Sequence, residues 1–133
     1  MEKQDALQAA GIDKVIVYCV NDGAVMSAWA EDQGVEDDDT IVDMVGDPAG
    51  EFTKAVGMEM TDPGPPSVGI IGRCKRFALH VVKGKVQHVA VSEGPGDPAG
   101  DDDPSATCVD AMLEAITSTN GAKKEDTKAS VKK

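Results

Sequence analysis

Val15–Val20 (VIVYCV) is a six-residue apolar run with almost no polar alternation, and it closes on Asn21-Asp22. A run of this kind suits a parallel strand covered on both faces, not a strand with one wet side. Lys14 precedes the run, so the predicted strand is Lys14–Val20. Asn21 or Asp22 can cap the helix that follows at Ala24–Gln33, and Gly34 can close it in the left-handed conformation. A buried strand feeding straight into a helix is a βα unit, which excludes an all-helical bundle and an all-β sandwich.

A second such unit follows. Thr40–Val45 reads as a strand and Glu51–Val56 as a short helix ending at Gly57, with the acidic loop Glu36–Asp39 before them and the turn GDPAG between. Upstream, Met1–Ala10 carries helix formers and stops at Gly11. Met58–Gly72 is rich in Pro and Gly and reads as a loop. The pattern then changes. Arg76–Val82 and Val86–Val91 are predicted strands joined by Lys83-Gly84-Lys85, a hairpin signal. Glu93–Asp103 (EGPGDPAGDDD) is an acidic insert. A last helix opens at Pro104 or Ser105, with Val109, Met112, Leu113 and Ile116 forming one buried stripe at i, i+3, i+4 and i+7. The order is that of an α/β sandwich on a mixed sheet, with a domain over 1–119 and a basic polar tail over 120–133.

Charge limits the partners. Residues 1–119 hold 22 acids and 8 bases, while the tail holds 2 acids and 5 lysines. An acidic body repels a phosphate backbone, so nucleic acid is not an expected partner. No apolar run reaches the roughly 18 residues of a membrane span. Three cysteines at unrelated spacings make neither a disulfide framework nor a zinc pattern, which suits an intracellular, reducing compartment, cytosol or organelle. No metal or other cofactor is expected.

Several side chains could carry chemistry. Cys108 sits at the start of the last helix, where the dipole favours a thiolate; otherwise it is a small residue facing the core. Cys19 reads as structural, and Cys74 lies between Arg73 and Lys75. Arg76, directly before Phe77, would hold its guanidinium against the sheet, where it could stabilise a thiolate or an oxyanion. His80 and His88 read as surface histidines, and Lys83 and Lys85 as solvated cations. Met26 and Trp29, at i and i+3, read as ordinary helix packing.

Four linked stretches go further: VNDGAVMSAWAEDQG, DPAGEFTKAVGM, RCKRFALHVVKGKV and ATCVDAMLEAI. In this order they resemble the type-five branch of the peroxiredoxins, thiol-dependent peroxidases of the redoxin group. The resemblance rests on Val20-Asn21-Asp22, Trp29, Asp47-Pro48-Ala49-Gly50-Glu51-Phe52 and Lys75-Arg76-Phe77. It covers about residues 1–117 and implies a thioredoxin-like three-layer sandwich. By that resemblance Arg76 is the arginine that polarises the peroxide, and Cys108 stands where some members carry a resolving cysteine. The peroxidatic cysteine of the family lies in a Pro-x-x-x-Thr-x-x-Cys loop, and no such motif occurs in these 133 residues. The resemblance also implies a central strand, between Val15–Val20 and Phe77–Val82, that this sequence does not contain. The reading is therefore of an N-terminally truncated domain. Three functions follow: a non-catalytic structural or assembly subunit completed by a protein partner, part of an active peroxidase, or a thiol sensor using Cys74 or Cys108. The tail is expected to dock on an acidic surface.

Overall fold

The computed structural model describes residues 2–35 and 38–131, with side chains as far as Gly121. Part of the loop at 36–39 and nearly all tail side chains therefore lie outside the described residues. Five helices, four strands and one 3-10 turn follow in the order α1 (Gln4–Ala9), β1 (Val15–Cys19), α2 (Gly23–Gln33), β2 (Val42–Gly46), α3 (Glu51–Ala55), α4 (Gly64–Ser67), β3 (Arg76–Val82), β4 (Lys85–Ser92), the turn Ser105–Thr107 and α5 (Val109–Val131).

The first βα unit forms for the reasons its residues dictate. Asp22 is the cap of α2, its Oδ1 accepting from Val25 N at 2.9 Å, and Gly34 ends the helix at φ 63°. β1 pairs in parallel with β2, Val15 opposite Val42 through Cys19 opposite Gly46. α1 is tied to the start of β2 by Gln4, whose Nε2 donates to Asp39 O and whose Oε1 accepts from Ile41 N.

β3 and β4 form an antiparallel hairpin. Its turn has two residues rather than three, because Val82 already pairs with Lys85, and both Lys83 (φ 50°) and Gly84 (φ 77°) are left-handed. Gln87 is bulged, so His80 faces His88 while Val81 faces Val86. Arg76–Ser92, Ala78–Ala90 and His80–His88 share the face on which the 105–107 turn and α5 pack. Ala90, Ser92 and Ile116 are buried there, and the Ser92 and Thr107 hydroxyls meet at 2.9 Å. His80 is buried as well, at 7 % exposure, and its Nδ1 has no hydrogen-bond partner among the described residues. It is therefore not the surface histidine expected, because the pleat turns it under α5.

Other expectations need correction. A single turn of helix, α4, interrupts the loop Met58–Gly72, with Pro63 as its cap and Pro65 and Pro66 inside it. The last helix does not stop where the apolar stripe stops, since α5 runs from Val109 to Val131, past Asn120. Met26 and Trp29 are not equivalent, at 1 % and 40 % exposure.

The sheet has the two halves expected of a thioredoxin-like fold without its central strand. Among the described residues β1–β2 and β3–β4 are two separate two-stranded sheets. The inner edges of β1 and β3 are bridged by side chains. Tyr18 and Phe77 meet edge to face at 5.7 Å between ring centroids, and Arg73 reaches the end of β1. These contacts join the end of β1 to the start of β3, so the two strands run antiparallel on either side of a slot.

Candidate functional site

Arg76 opens β3, where pairing with Ser92 directs it to the face of the 105–107 turn. Its guanidinium does not lie against the sheet as expected. Nη2 donates to Asp101 Oδ1 at 2.7 Å and Nε to Ala99 O at 3.2 Å, and the side chain is 46 % exposed. The acidic insert supplies both acceptors. Its own shape comes from Asp97, whose carboxylate accepts the backbone N–H of Asp101, Asp102 and Asp103. At Gly100 a Cβ would collide with the Ser92 carbonyl, so only glycine allows this approach to β4.

Cys108 is exposed, not core-facing, and it is not inside a helical turn. Its backbone is extended (φ −75°, ψ 158°) between the 3-10 turn and α5, and its carbonyl accepts from Met112 N at 3.1 Å. Sγ donates to Pro104 O at 3.3 Å. The break follows from Thr107, whose hydroxyl is held by both Ser92 and Pro104 O. Arg76 and Cys108 are thus neighbours at one remove, through the Ser92–Thr107 contact. No hydrogen bond joins them among the described residues.

A second cluster lies at the mouth of the slot, where β1 ends and β3 begins. Asp47 caps α3, with Oδ2 accepting Thr53 N (3.0 Å) and Thr53 Oγ1 (2.8 Å) and Oδ1 accepting Phe52 N (3.3 Å). These donors, the Thr53 N–H foremost, hold its carboxyl below the usual range. Thr53, 1 % exposed, also meets the Tyr18 hydroxyl at 3.1 Å. Burial above all, with the nearby Cys74 and Asp47, pushes the Tyr18 phenol up to about 12. Cys74 is within side-chain hydrogen-bonding reach of that hydroxyl. Burial likewise pushes the Cys19 thiol up, Cys74 adding to the shift and Arg73 opposing it. Arg73 Nη1 donates to Val20 O and to Asn21 Oδ1, both at 3.1 Å.

Sequence reasoning singled out Arg76 and Cys108 and passed over Arg73, Tyr18 and Thr53. Asp47 was legible as part of Asp-Pro-x-Gly, because an Asp ahead of a short helix is a capping signal. The reach of Arg73 across 53 residues left no local trace. Lys75 is partly covered and pairs with Glu93 at 3.2 Å. No group of three or more His, Cys, Asp and Glu among the described residues converges as a metal site requires.

The redoxin family profile matches residues 1–111. A putative peroxisomal peroxiredoxin of Lipomyces kononenkoae is 37% identical over 117 residues, 87% of this chain and 61% of that protein. A putative peroxiredoxin, prxA, of Emericella nidulans is 34% identical over 91 residues, 68% of this chain and 48% of that protein. The chain thus spans roughly half the length of these curated relatives. Among solved structures, reduced Prx3 of Vibrio vulnificus in complex with hydrogen peroxide superposes with a TM-score of 0.68 at 30% identity, covering 87% of this chain and 63% of that one. Peroxiredoxin 5 of Alvinella pompejana gives 0.64 at 25% identity, covering 87% and 64%. With its α/β architecture, two small sheets and redoxin motifs in order, the chain belongs to the redoxin family, among the peroxiredoxins.

Proposed function

We propose that residues 1–133 are a peroxiredoxin-type scaffold that turns over no peroxide by itself and serves as a structural or assembly subunit. The observation that carries this reading is the pair of inner edges. Among the described residues β1 and β3 are each paired on one side only, and the contacts seen between them are those of Tyr18 with Phe77 and of Arg73 with the end of β1. An unpaired strand edge is a template for another strand. Because β1 and β3 run antiparallel, one inserted strand would be parallel to one and antiparallel to the other, and would close a mixed sheet of five strands. A protein partner supplies that strand. No helix among the described residues is long and apolar enough to cross a membrane. Three unbridged thiols suit a reducing intracellular compartment, and relatives are named as peroxisomal or chloroplastic.

In this reading Arg76 keeps the chemistry of a family arginine but is engaged by Asp101 and the Ala99 carbonyl. It has no thiolate to stabilise within these residues, and Cys108, a resolving cysteine by position, has no sulfenic acid to resolve. One observation favours a second reading: the relatives are longer than this chain. In that reading the chain is part of a thiol peroxidase whose reacting cysteine lies outside residues 1–133.

The test is peroxide consumption by purified residues 1–133 with a dithiol donor, beside light scattering of the native protein. The proposal expects a rate no greater than that of free cysteine, and a native particle larger than one chain. Turnover that disappears on Arg76→Ala would overturn it, as would a stable solitary monomer whose β1 and β3 amides are protected from exchange.

A further inference from the structure

The acids of the insert 93–103 do separate jobs. Glu93 pairs with Lys75 at 3.2 Å and fixes the root of the insert to the residue before β3. Gly94 and Asp97 then exchange two backbone hydrogen bonds, at 3.0 and 2.9 Å, which close a tight turn. The Asp97 carboxylate gathers the amides of Asp101, Asp102 and Asp103, so 97–103 folds back on itself as one unit. Asp103 ties down the far end, its Oδ1 accepting the amide (3.2 Å) and the hydroxyl (2.5 Å) of Ser105. Gly100, left-handed at φ 68°, rests against Ser92, the residue opposite Arg76 in the hairpin. Glu93, Asp97 and Asp103 thus anchor or shape the insert. Asp101 does neither with its side chain: Oδ1 accepts from Arg76 Nη2 at 2.7 Å, while the Ala99 carbonyl accepts from Arg76 Nε at 3.2 Å. The neighbouring Asp102 is exposed and its carboxylate pairs with no cation among the described residues.

We propose that the insert is an autoinhibitory strap on Arg76, with Asp101 as a built-in ligand that an external oxyanion must displace to bind the same edge of the guanidinium. A guanidinium offers a carboxylate, sulfate or phosphate two parallel N–H bonds at a time. Nε and Nη2 form the side-on edge of that fork, and both are engaged by the insert. The strap is shaped independently of Arg76, because the bonds that form 97–103 run within the insert or to Ser105. Asp101 is therefore presented in place and loses little freedom on pairing, which favours an ion pair that is otherwise exposed to solvent. Being part of the same chain, it also competes at a high effective concentration. Whatever loosens 97–103 frees the arginine. The strap acts in this way whether the chain is a non-catalytic subunit or part of a peroxidase.

The chain has two arginines, Arg73 and Arg76, so an arginine reagent reads one site against an internal reference. Phenylglyoxal modifies free guanidinium groups, and peptide mapping by mass gives the rate at each position in the full chain. Sulfate, added against chloride at constant ionic strength, protects an arginine that binds it. In the parent, Arg76 should react slowly and gain little protection from sulfate. Asp101→Asn should raise both its rate and its sulfate protection by roughly twofold to fivefold, the range that exposed ion pairs span. Arg73, bound to Val20 O and Asn21 Oδ1, should not change. Gly100→Ala should act like Asp101→Asn with every acid still present, because its Cβ would meet the Ser92 carbonyl. Asp102→Asn removes the same charge from an acid that does not touch Arg76, and should behave as the parent does. Equal Arg76 rates in Asp101→Asn and Asp102→Asn would overturn the proposal. So would an Arg76 that sulfate fails to protect in Asp101→Asn. If Gly100→Ala does not fold, the two aspartate variants, both exposed surface changes, decide the matter. Peroxide turnover is not read, so failure here is distinct from failure of the proposed function.

Discussion

Replacing Arg73 by Met tests whether side chains hold the two small sheets together. The substitution keeps the aliphatic stem and removes two hydrogen bonds from a cation, to Val20 O and Asn21 Oδ1, both 3.1 Å and partly buried. A hydrogen bond to a charged group contributes about 1.5–3 kcal/mol, and partial burial places each of these near or below the lower end, so the pair is worth roughly 2–3 kcal/mol. Unfolding entropy of ~2.1 cal/mol/K per residue gives ~0.28 kcal/mol per degree for a chain of this size. The midpoint should therefore fall by about 7–11 °C in Arg73→Met. Lys75→Met is the control, because the Lys75–Glu93 pair lies at the surface and such pairs contribute about 0–1 kcal/mol, or at most ~4 °C here. Arg73→Lys, with one donor group in place of a fork, should fall between the two. Thermal melts followed by circular dichroism give the midpoints, and amide exchange at 17–19 shows whether the loss is local to β1. The reasoning is refuted if Arg73→Met melts within ~2 °C of the parent, or no lower than Lys75→Met.

Met26, 1 % exposed at the base of α2, should cost about 2–5 kcal/mol on Met26→Ala by chemical denaturation, while Met26→Leu should cost less than about 1.5 kcal/mol. Gly46→Ala should be more disruptive than an exposed glycine substitution such as Gly23→Ala, because its Cβ would meet the Asn21 carbonyl; equal melting points would count against that contact. Tyr18 is the single tyrosine, so its absorbance near 295 nm reads one group. Its folded pKa of about 12 lies above the ordinary 10.0, so the fold favours the neutral phenol; that stability is complete below pH 10 and is lost as pH rises from 10 towards 12. An ionisation midpoint at 10 in the folded chain would contradict the partly buried placement. Asp47 has the opposite sign: its lowered carboxyl stabilises the fold above the ordinary 3.8, and that stability is lost as pH falls below it, so Asp47→Asn should flatten the acid limb of a stability profile.

What could be read from the sequence was what neighbours in the chain decide. The Asp22 cap, the Gly34 stop and the hairpin turn rest on residues within a few positions of one another, and the parallel pairing of β1 with β2 follows from the βα unit that connects them. The hairpin's length was misjudged by one residue because Lys83 takes the left-handed conformation that glycine or asparagine takes more readily. Burial of His80 was not legible, since the alternation that exposes one face also hides the other, and α5 decides which. The position of Arg76 was right and its direction was not, because its acceptors come from an insert with no periodicity of its own. Arg73 was missed for the same reason on a larger scale: its partners are 52 and 53 residues away.

One long contact has a consequence in time. The Ala10 carbonyl at the end of α1 accepts from Asn120 Nδ2 at 3.1 Å, and Lys3 pairs with Asp110 at 2.9 Å. Both partners are made more than a hundred residues after α1. At about 5–20 residues per second, the ribosome leaves the first helix without its contacts to α5 for roughly 5–20 s, far longer than a short helix needs to form and dissolve. During those seconds Ile16, exposed even in the finished fold at 64 %, and the free edge of β1 are open to any chain that passes. The order of synthesis therefore leaves the edge of β1 open longest before the protein is complete, and until residue 76 is translated a strand that joined β1 would meet no competition from the hairpin.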